Sequence, residues 1–232
     1  MQQVARTKAT GACQPFSGAN RVKRHAGRPH KQGRQAAPEA FSDAPPLRQD
    51  LNIVLVNPQI PQNTGNACRT AAATGVPMHL VGPLGFSTDD SMLKRAGLDY
   101  WHAVCVQTHE SWESFHNFFL SLPDPKRLVA FTVYGSTSHH GLAYQPGDWL
   151  VFGSEVSGLS PQAHDDIKLG GGALVKIPIR DTYVRSLNLA TSVGIGTFEA
   201  LRQLDADKPD IVYPRASPSW DEVVAKHFTK KE

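Results

Sequence analysis

The stretch LNIVLVNPQIPQNTGNACRTAAATG, residues 51–75, decides the fold class of this 232-residue chain. Residues 51–56 are a short, apolar and β-branched run, which is typical of a buried strand. Residues 63–74 predict a helix that ends at Gly75, and Asn63 is among the candidates to cap its start. A buried strand followed directly by a helix is characteristic of an α/β protein.

The same alternation of strands and helices continues along the chain. Further strands are predicted at residues 77–81, 128–133, 149–152 and 173–179, and further helices at residues 111–122 and 188–204. This order predicts an α/β fold with a mostly parallel sheet that is covered by helices on both faces. Because 40% of the residues are hydrophobic, the chain can form one globular domain with tails. We predict that this domain spans residues 51–205.

The two ends of the chain differ in composition from this domain. Residues 1–50 contain nine Lys/Arg and three Asp/Glu, lack hydrophobic periodicity, and predict a disordered, basic N-terminal extension. An organelle transit peptide, an RNA-contacting arm and an extension without function all stay open. We therefore predict a cytoplasmic protein, or an organellar one if the extension is a transit peptide. Residues 206–232 predict a C-terminal extension with a short helix near Ser219.

Composition excludes several classes of protein. No apolar run approaches the roughly 20 residues of a membrane span, so we expect no membrane partner. The three cysteines are widely spaced and include no CxxC pair, so we expect neither a disulfide scaffold nor a metal site. Residues 51–232 carry 15 Lys/Arg and 18 Asp/Glu. Bulk charge in this part therefore gives no argument for nucleic-acid binding.

Three polar segments follow predicted strands, and the first is residues 60–75. Arg69 lies six residues after Asn63 and three after Asn66, so we expect it near the start of the same helix. There it could contact a phosphate or a ribose hydroxyl. The alternative is a surface arginine beside an ordinary helix cap.

The second segment is VFGSEVSGLS, residues 151–160. Gly153 and Gly158 stand where a buried strand ends, so a ligand could approach the backbone there. The alternative is a plain turn that leaves Glu155 in solvent. The spacing is not GxGxxG, so a Rossmann dinucleotide site is not supported.

The third segment is residues 177–204. A polar loop with Arg185 leads into a helix that begins near Ser186 and Asn188. Gly194 and Gly196 are unfavourable inside a helix, which predicts the close approach of another backbone. The alternative is an ordinary loop between a strand and a helix.

In this order and spacing, the segments resemble the SPOUT-class RNA methyltransferases. Within that class they resemble the branch that methylates the ribose 2′-hydroxyl of the wobble nucleotide of certain tRNAs. The resemblance covers residues 51–205. It rests on the motifs PQNTGNACR (61–69), PLGF (83–86), LKRAGLDYW (93–101), FGSEVSGL (152–159) and VRSLNLATSV (184–193). PLGF and LKRAGLDYW favour this branch over the ribosomal-RNA enzymes of the same class.

The resemblance implies a SPOUT fold with a C-terminal trefoil knot, a homodimer, and a site for S-adenosyl-L-methionine without a metal. The implied partner is the anticodon region of tRNA. The implied cofactor-binding residues are Phe131, Gly153, Ile177, Ser186 and Leu187. The implied catalytic residues are Arg69, Asn63, Glu155 and Asn188, and Arg185 is the implied RNA-binding residue. Because an arginine is effectively always protonated, we expect Arg69 to bind a phosphate or the developing alkoxide.

The chain departs from the family pattern at several positions. Ser154 stands where proline is usual, Thr191 where asparagine is frequent, and Phe198 where tyrosine is common. Two alternatives to tRNA methylation therefore stay open. One is a 2′-O-methyltransferase that acts on rRNA, and the other is a non-catalytic RNA-binding or assembly factor of the same fold.

Overall fold

The structure, a computed structural model, describes residues 47–87, 104–180 and 182–208. Leu47–Ala206 lie in one compact unit. The motif LKRAGLDYW, most of both predicted extensions and the helix predicted near Ser219 lie outside the described residues.

The described residues contain seven strands, four α-helices and one short 3₁₀ helix at His139–Gly141. The strands are β1 (Leu51–Val56), β2 (Met78–Val81), β3 (Val106–His109), β4 (Arg127–Phe131), β5 (Thr137–Ser138), β6 (Asp148–Phe152) and β7 (Ala173–Lys176). The α-helices are α1 (Pro61–Thr74), α2 (Trp112–Ser121), α3 (Pro161–Leu169) and α4 (Leu189–Leu204).

All seven strands form one sheet in the order β3-β2-β1-β6-β4-β7-β5. Every pairing between neighbouring strands is parallel. In the centre of the sheet, Leu55 of β1 lies opposite Leu80 of β2 on one side and Phe152 of β6 on the other. The predicted α/β class and parallel sheet are therefore confirmed, and the knot stays a prediction.

The sheet separates two hydrophobic clusters, which explains why the β1 sequence is apolar at nearly every position. Ile53 and Leu55 belong to the cluster that includes buried residues of α1 and α4. Val54 and Val56 belong to the cluster that includes buried residues of α2 and α3. Successive side chains of a strand point to opposite faces, so both faces of β1 must be apolar.

Four described elements were not predicted from the sequence: β3, β5, α3 and the 3₁₀ helix. The edge strand β3, VQTH, is polar at three of its four positions and buries only His109. Helix α3 buries only Ala163 and Ile167, so its apolar face is too narrow to produce a helical pattern. Strands β4 and β7 also end earlier than predicted, at Phe131 and Lys176.

The prediction that asparagines cap α1 is wrong. The helix begins at Pro61, its cap residue is Ile60, and no side chain makes a capping hydrogen bond. Proline suits the first helical position because its fixed φ is already helical and the N–H that it lacks has no helical partner there. The side chain of Asn63 is therefore available for contacts outside the helix.

Ordered contacts begin before the predicted domain. Arg48 donates hydrogen bonds to Asp50 at 2.8 and 2.9 Å and to Asp205 at 2.9 and 3.0 Å. This pairing joins the residues that precede β1 to the residue that follows α4. Cys68 is free and buried, whereas Cys105 is disulfide-bonded. None of the helices in the described ranges has the length and apolarity that a membrane span requires.

Two histidines form a buried pair on β2 and β3. His79 Nδ1 and His109 Nε2 are 3.0 Å apart, so one ring donates and the other accepts. The rings of Trp149 and Phe118 lie 4.7 and 5.8 Å from that of His79. Burial, with a smaller contribution from His109, lowers the pKa of His79 to about 3, and burial also lowers the pKa of His109. Both rings are therefore neutral at pH 7.

We expect the free energy of unfolding to fall as the pH drops below about 6.5, the pKa of an unfolded histidine. The unfolded chain then takes up a proton that the folded His79 ring does not bind, which costs up to about 1.4 kcal/mol per pH unit. The lowered pKa of His109 adds to this loss in the same direction. The loss continues down to the lowered pKa of the folded state. Urea unfolding at pH 7.5 and 5.5 measures it. His109→Gln keeps a hydrogen-bonding group beside His79 and should make the slope of the free energy of unfolding against pH shallower. An unchanged slope in that variant would contradict the assignment.

Candidate active site

A cavity of about 550 Å³ opens beyond the carboxyl ends of β4, β6 and β7. Its walls are the residues that follow these three strands, together with the first residues of α1 and α4. The volume lies within the range of small-molecule sites, and this edge of a parallel sheet is where α/β proteins bind ligands.

The structure brings most of the predicted site residues together around this cavity. The predicted cofactor-binding residues Phe131, Gly153, Ile177, Ser186 and Leu187 all line it. Asn63, Glu155, Asn188 and Arg185 line it as well. The role of each residue stays a prediction.

Arg69 is the predicted site residue that does not line this cavity. It is exposed on α1. Six residues separate it from Asn63, which corresponds to about 9 Å along the helix axis and a rotation of about 240°. Arg69 therefore belongs to the surface of α1 and not to the cavity wall.

Glu155 joins the second segment of the site to the first. Its carboxylate accepts hydrogen bonds from the backbone N–H groups of Gln59 at 2.8 Å and Ile60 at 3.2 Å. It also accepts one from the Asn63 side-chain amide at 2.9 Å. The alternative of a plain turn with Glu155 in solvent is therefore excluded. A carboxylate with three donors holds the loop after β6 against the start of α1.

Asn63 and Asn188 extend this network to the third segment. The Asn188 side-chain amide donates to the Asn63 side-chain oxygen at 2.8 Å. The Asn188 oxygen also accepts from the backbone N–H of Thr191 at 3.3 Å and so caps α4. Glu155, Asn63 and Asn188 thus form one chain of hydrogen bonds across three segments that are distant in sequence. These hydrogen bonds hold the three segments together.

The loop after β6 is a tight turn. Ser154 and Gly158 exchange two backbone hydrogen bonds, at 3.0 and 2.9 Å. A proline at position 154, which is usual in the family, would lack the N–H that makes the first of these bonds. A β-carbon on Gly153 would lie 2.3 Å from the carbonyl carbon of Gly158. The chain itself therefore requires this glycine, independently of any ligand.

The two glycines of α4 have different surroundings. A β-carbon on Gly196 would lie 2.6 Å from the Phe131 ring, whereas one on Gly194 would meet nothing within 4 Å. The predicted approach of another backbone is therefore wrong for Gly196, whose close neighbour is an aromatic side chain. Phe131 in turn stacks on Phe152 with ring centroids 4.7 Å apart, and both rings line the cavity.

We expect Gly196→Ala and Gly194→Ala to have opposite effects on the free energy of unfolding. The added methyl group at Gly196 displaces Phe131, and such overpacking costs about 1–3 kcal/mol. The same change at Gly194 adds a good helix former in open space and stabilises by about 1 kcal/mol. Denaturant unfolding measures both. Equal changes in the two variants would contradict the contact between Gly196 and Phe131.

The residues of the cavity wall that were not identified from the sequence include Thr132, Tyr134 and His164. Thr132 Oγ1 lies 3.1 Å from His164 Nε2, and the Tyr134 ring meets the His164 ring edge-on with centroids 6.1 Å apart. His164 could not be placed because α3 was not predicted. The pair Ser160–Pro161 was a usable signal, since Ser160 caps α3 and proline occupies its first turn.

Comparison with known proteins identifies the family to which this chain belongs. Residues 50–198 match the model of the SpoU rRNA Methylase family, and this chain belongs to that family. The class recognised from the motifs is thereby confirmed.

The names of individual relatives specify a reaction and a substrate for those proteins. A tRNA (cytidine(34)-2'-O)-methyltransferase from Burkholderia pseudomallei is 45% identical over 153 residues, which cover 66% of this chain and 95% of the relative. A solved structure described as "Structural insights into the 2-OH methylation of C/U34 on tRNA" is 44% identical with a TM-score of 0.59, covering 67% of this chain and 97% of that one. An AdoMet-bound rRNA methyltransferase from Sinorhizobium meliloti is 28% identical with a TM-score of 0.59, covering 68% and 58%.

Proposed function

We propose that this protein transfers a methyl group from S-adenosyl-L-methionine to the ribose 2′-hydroxyl of the wobble nucleotide of tRNA. The observation that carries the proposal is the convergence of all five predicted cofactor-binding residues on one cavity. The similarity to relatives that are named for methylation at tRNA nucleotide 34 supports the choice of substrate.

The residues around the cavity suit S-adenosyl-L-methionine, which supplies a methyl group on a positively charged sulfur. Phe131, Ile177 and Leu187 offer apolar surface to an adenosine group. Backbone groups of the turn that follows Gly153 offer hydrogen bonds. The network of Glu155, Asn63 and Asn188 holds these walls in place, so little ordering is needed when the ligand binds.

The reaction also requires that the acceptor hydroxyl lose its proton while its oxygen attacks the methyl group. Arg69 is already protonated and cannot take that proton, which therefore leaves to water while the methyl donor leaves as S-adenosyl-L-homocysteine. We assign Arg69 an electrostatic role, in which its guanidinium binds a phosphate or the developing alkoxide. Placing the hydroxyl in line with the methyl group contributes much of the remaining acceleration.

We further propose a homodimer. Phe198 is 58% exposed on α4, and Ile60 is 43% exposed at the start of α1. Both helices belong to the same face of the sheet, so these side chains offer apolar surface for a second copy. Sedimentation of wild type and Phe198→Glu tests this. A wild type that is monomeric at micromolar concentration would contradict the dimer.

A methyl-transfer assay tests the proposed function. The substrate is total tRNA from a strain that lacks the corresponding methyltransferase, and mass spectrometry of nucleosides and anticodon fragments is the readout. We expect a 2′-O-methyl group at the wobble nucleotide alone. The control is the same tRNA with a 2′-deoxy wobble nucleotide, which has no acceptor hydroxyl.

Two outcomes would overturn the proposal. If the protein binds S-adenosyl-L-methionine in calorimetry but methylates no tRNA, the substrate is wrong and rRNA becomes the next test. If calorimetry detects no binding by the folded protein, the non-catalytic RNA-binding alternative replaces methyl transfer.

A further inference from the structure

Three apolar side chains stand exposed at the mouth of the cavity. Val133 is 55%, Tyr134 80% and Val156 84% exposed, and all three line the cavity. We call them the apolar rim. A group of exposed apolar side chains beside a binding site marks a contact surface. Each of these side chains is more than half exposed, so each is free to contact a ligand that enters the cavity.

Hydrogen bonds fix the backbone that carries the rim. The backbone N–H of Tyr134 donates to Thr132 Oγ1 at 3.3 Å. His164 Nδ1 lies 3.2 Å from the Ser160 carbonyl oxygen, to which it can only donate, so its Nε2 accepts from the Thr132 hydroxyl at 3.1 Å. The Tyr134 ring also contacts the His164 ring edge-on. These contacts hold the backbone of Tyr134 in place while its side chain faces solvent.

Charge does not account for RNA binding at this mouth. Arg185 is the one Lys or Arg among the described residues that line the cavity. Residues 51–232 have three more acidic than basic side chains, 18 against 15. Because few basic side chains are available to bind RNA phosphates here, RNA binding requires another kind of contact. Stacking of a nucleobase on an aromatic side chain is the contact that proteins use for unpaired RNA bases.

We propose that Tyr134 stacks on an unpaired nucleobase beside the nucleotide that is methylated, and that Val133 and Val156 pack against the edge of the same nucleotide. This inference rests on the proposed function, because the acceptor ribose must reach the cavity across the rim. Its neighbouring base then lies over the mouth, where Tyr134 is exposed. Tyr134 is thus a substrate-positioning residue for the RNA loop.

The test measures the Kd of the anticodon stem-loop of a tRNA that the wild-type protein methylates, using Tyr134→Ala, Tyr134→Phe and Tyr183→Ala. We expect Tyr134→Ala to raise this Kd about 5- to 150-fold, the range for loss of one base–aromatic stack. Tyr134→Phe keeps the ring and should bind like wild type. Tyr183 is the matched control, since it is 84% exposed but does not line the cavity. An equal loss in both alanine variants would overturn the proposal.

A stem-loop with a single abasic nucleotide identifies the stacked base. Removing that base should weaken wild type and Tyr134→Phe but leave Tyr134→Ala unchanged. Calorimetry with S-adenosyl-L-methionine and sedimentation should give wild-type values for all variants. A change confined to cofactor affinity would assign Tyr134 to the cofactor, and a change in dimerisation would assign the rim to a second copy. Either result would overturn the proposal. Failure of the proposed function would give a different result from failure of this inference, because the wild-type protein would then methylate no tRNA.

Discussion

Replacing Glu155 with alanine is expected to weaken S-adenosyl-L-methionine binding by about 100-fold, which corresponds to about 2.7 kcal/mol. The Glu155 carboxylate accepts three hydrogen bonds from Gln59, Ile60 and Asn63. Hydrogen bonds to a charged group are worth about 1.5–3 kcal/mol each, and part of that free energy holds the cavity walls together before the ligand binds. Without the carboxylate, binding must also order the loop after β6.

Calorimetry measures this loss directly, and circular dichroism shows whether the sheet remains folded. Asp165→Ala is the matched control, because it removes one exposed carboxylate from α3 without touching the network. Glu155→Gln keeps the shape but replaces one acceptor oxygen with a donor, so we expect an intermediate loss. Wild-type affinity in a folded Glu155→Ala protein would refute the positioning role.

Replacing Arg69 with alanine is expected to lower the rate of methyl transfer by about 100- to 1000-fold, the range for loss of one group that stabilises developing negative charge. Cofactor affinity should stay within about twofold of wild type, because Arg69 does not line the cavity. The two variants thus separate two functions. Glu155→Ala acts on the site that holds the cofactor, and Arg69→Ala acts on the acceptor.

Single-turnover transfer with saturating cofactor measures the second effect apart from binding. Arg202→Ala is the control, since it removes an exposed arginine of α4 that pairs with Glu199 at 2.8 Å and does not line the cavity. Arg69→Lys keeps the charge but loses the planar fork, and we expect it to recover only part of the rate. Normal turnover in Arg69→Ala would remove Arg69 from the mechanism.

Some features of the fold were accessible from sequence because they depend on local pattern. Residues 51–56 are apolar without alternation, since β1 is buried on both faces. Helix α4 was predicted over residues 188–204, and Asn188 caps it as its position suggests. Elements with little buried surface, such as β3 and α3, leave no such pattern. They form because the completed sheet offers them an edge or a face.

The site likewise has features that were predicted from the sequence and features that were not. The family resemblance implied the five cofactor-binding residues, and the structure places all five on one cavity at the carboxyl ends of parallel strands. The sequence did not predict that Glu155 would bind the backbone of Gln59 and Ile60, almost 100 residues earlier. It also did not predict that Tyr134 and His164 would share a wall of the cavity.

By itself, the sequence therefore determined the class of fold, the family and the three segments that form the site. Only the tertiary structure decided which side chains of these segments touch, that Gly196 makes room for Phe131, and that Arg69 lies outside the cavity. The physical reason is that periodicity and capping act over a few residues. Hydrogen bonds and close packing between distant segments instead depend on the order of the strands, which no local pattern encodes.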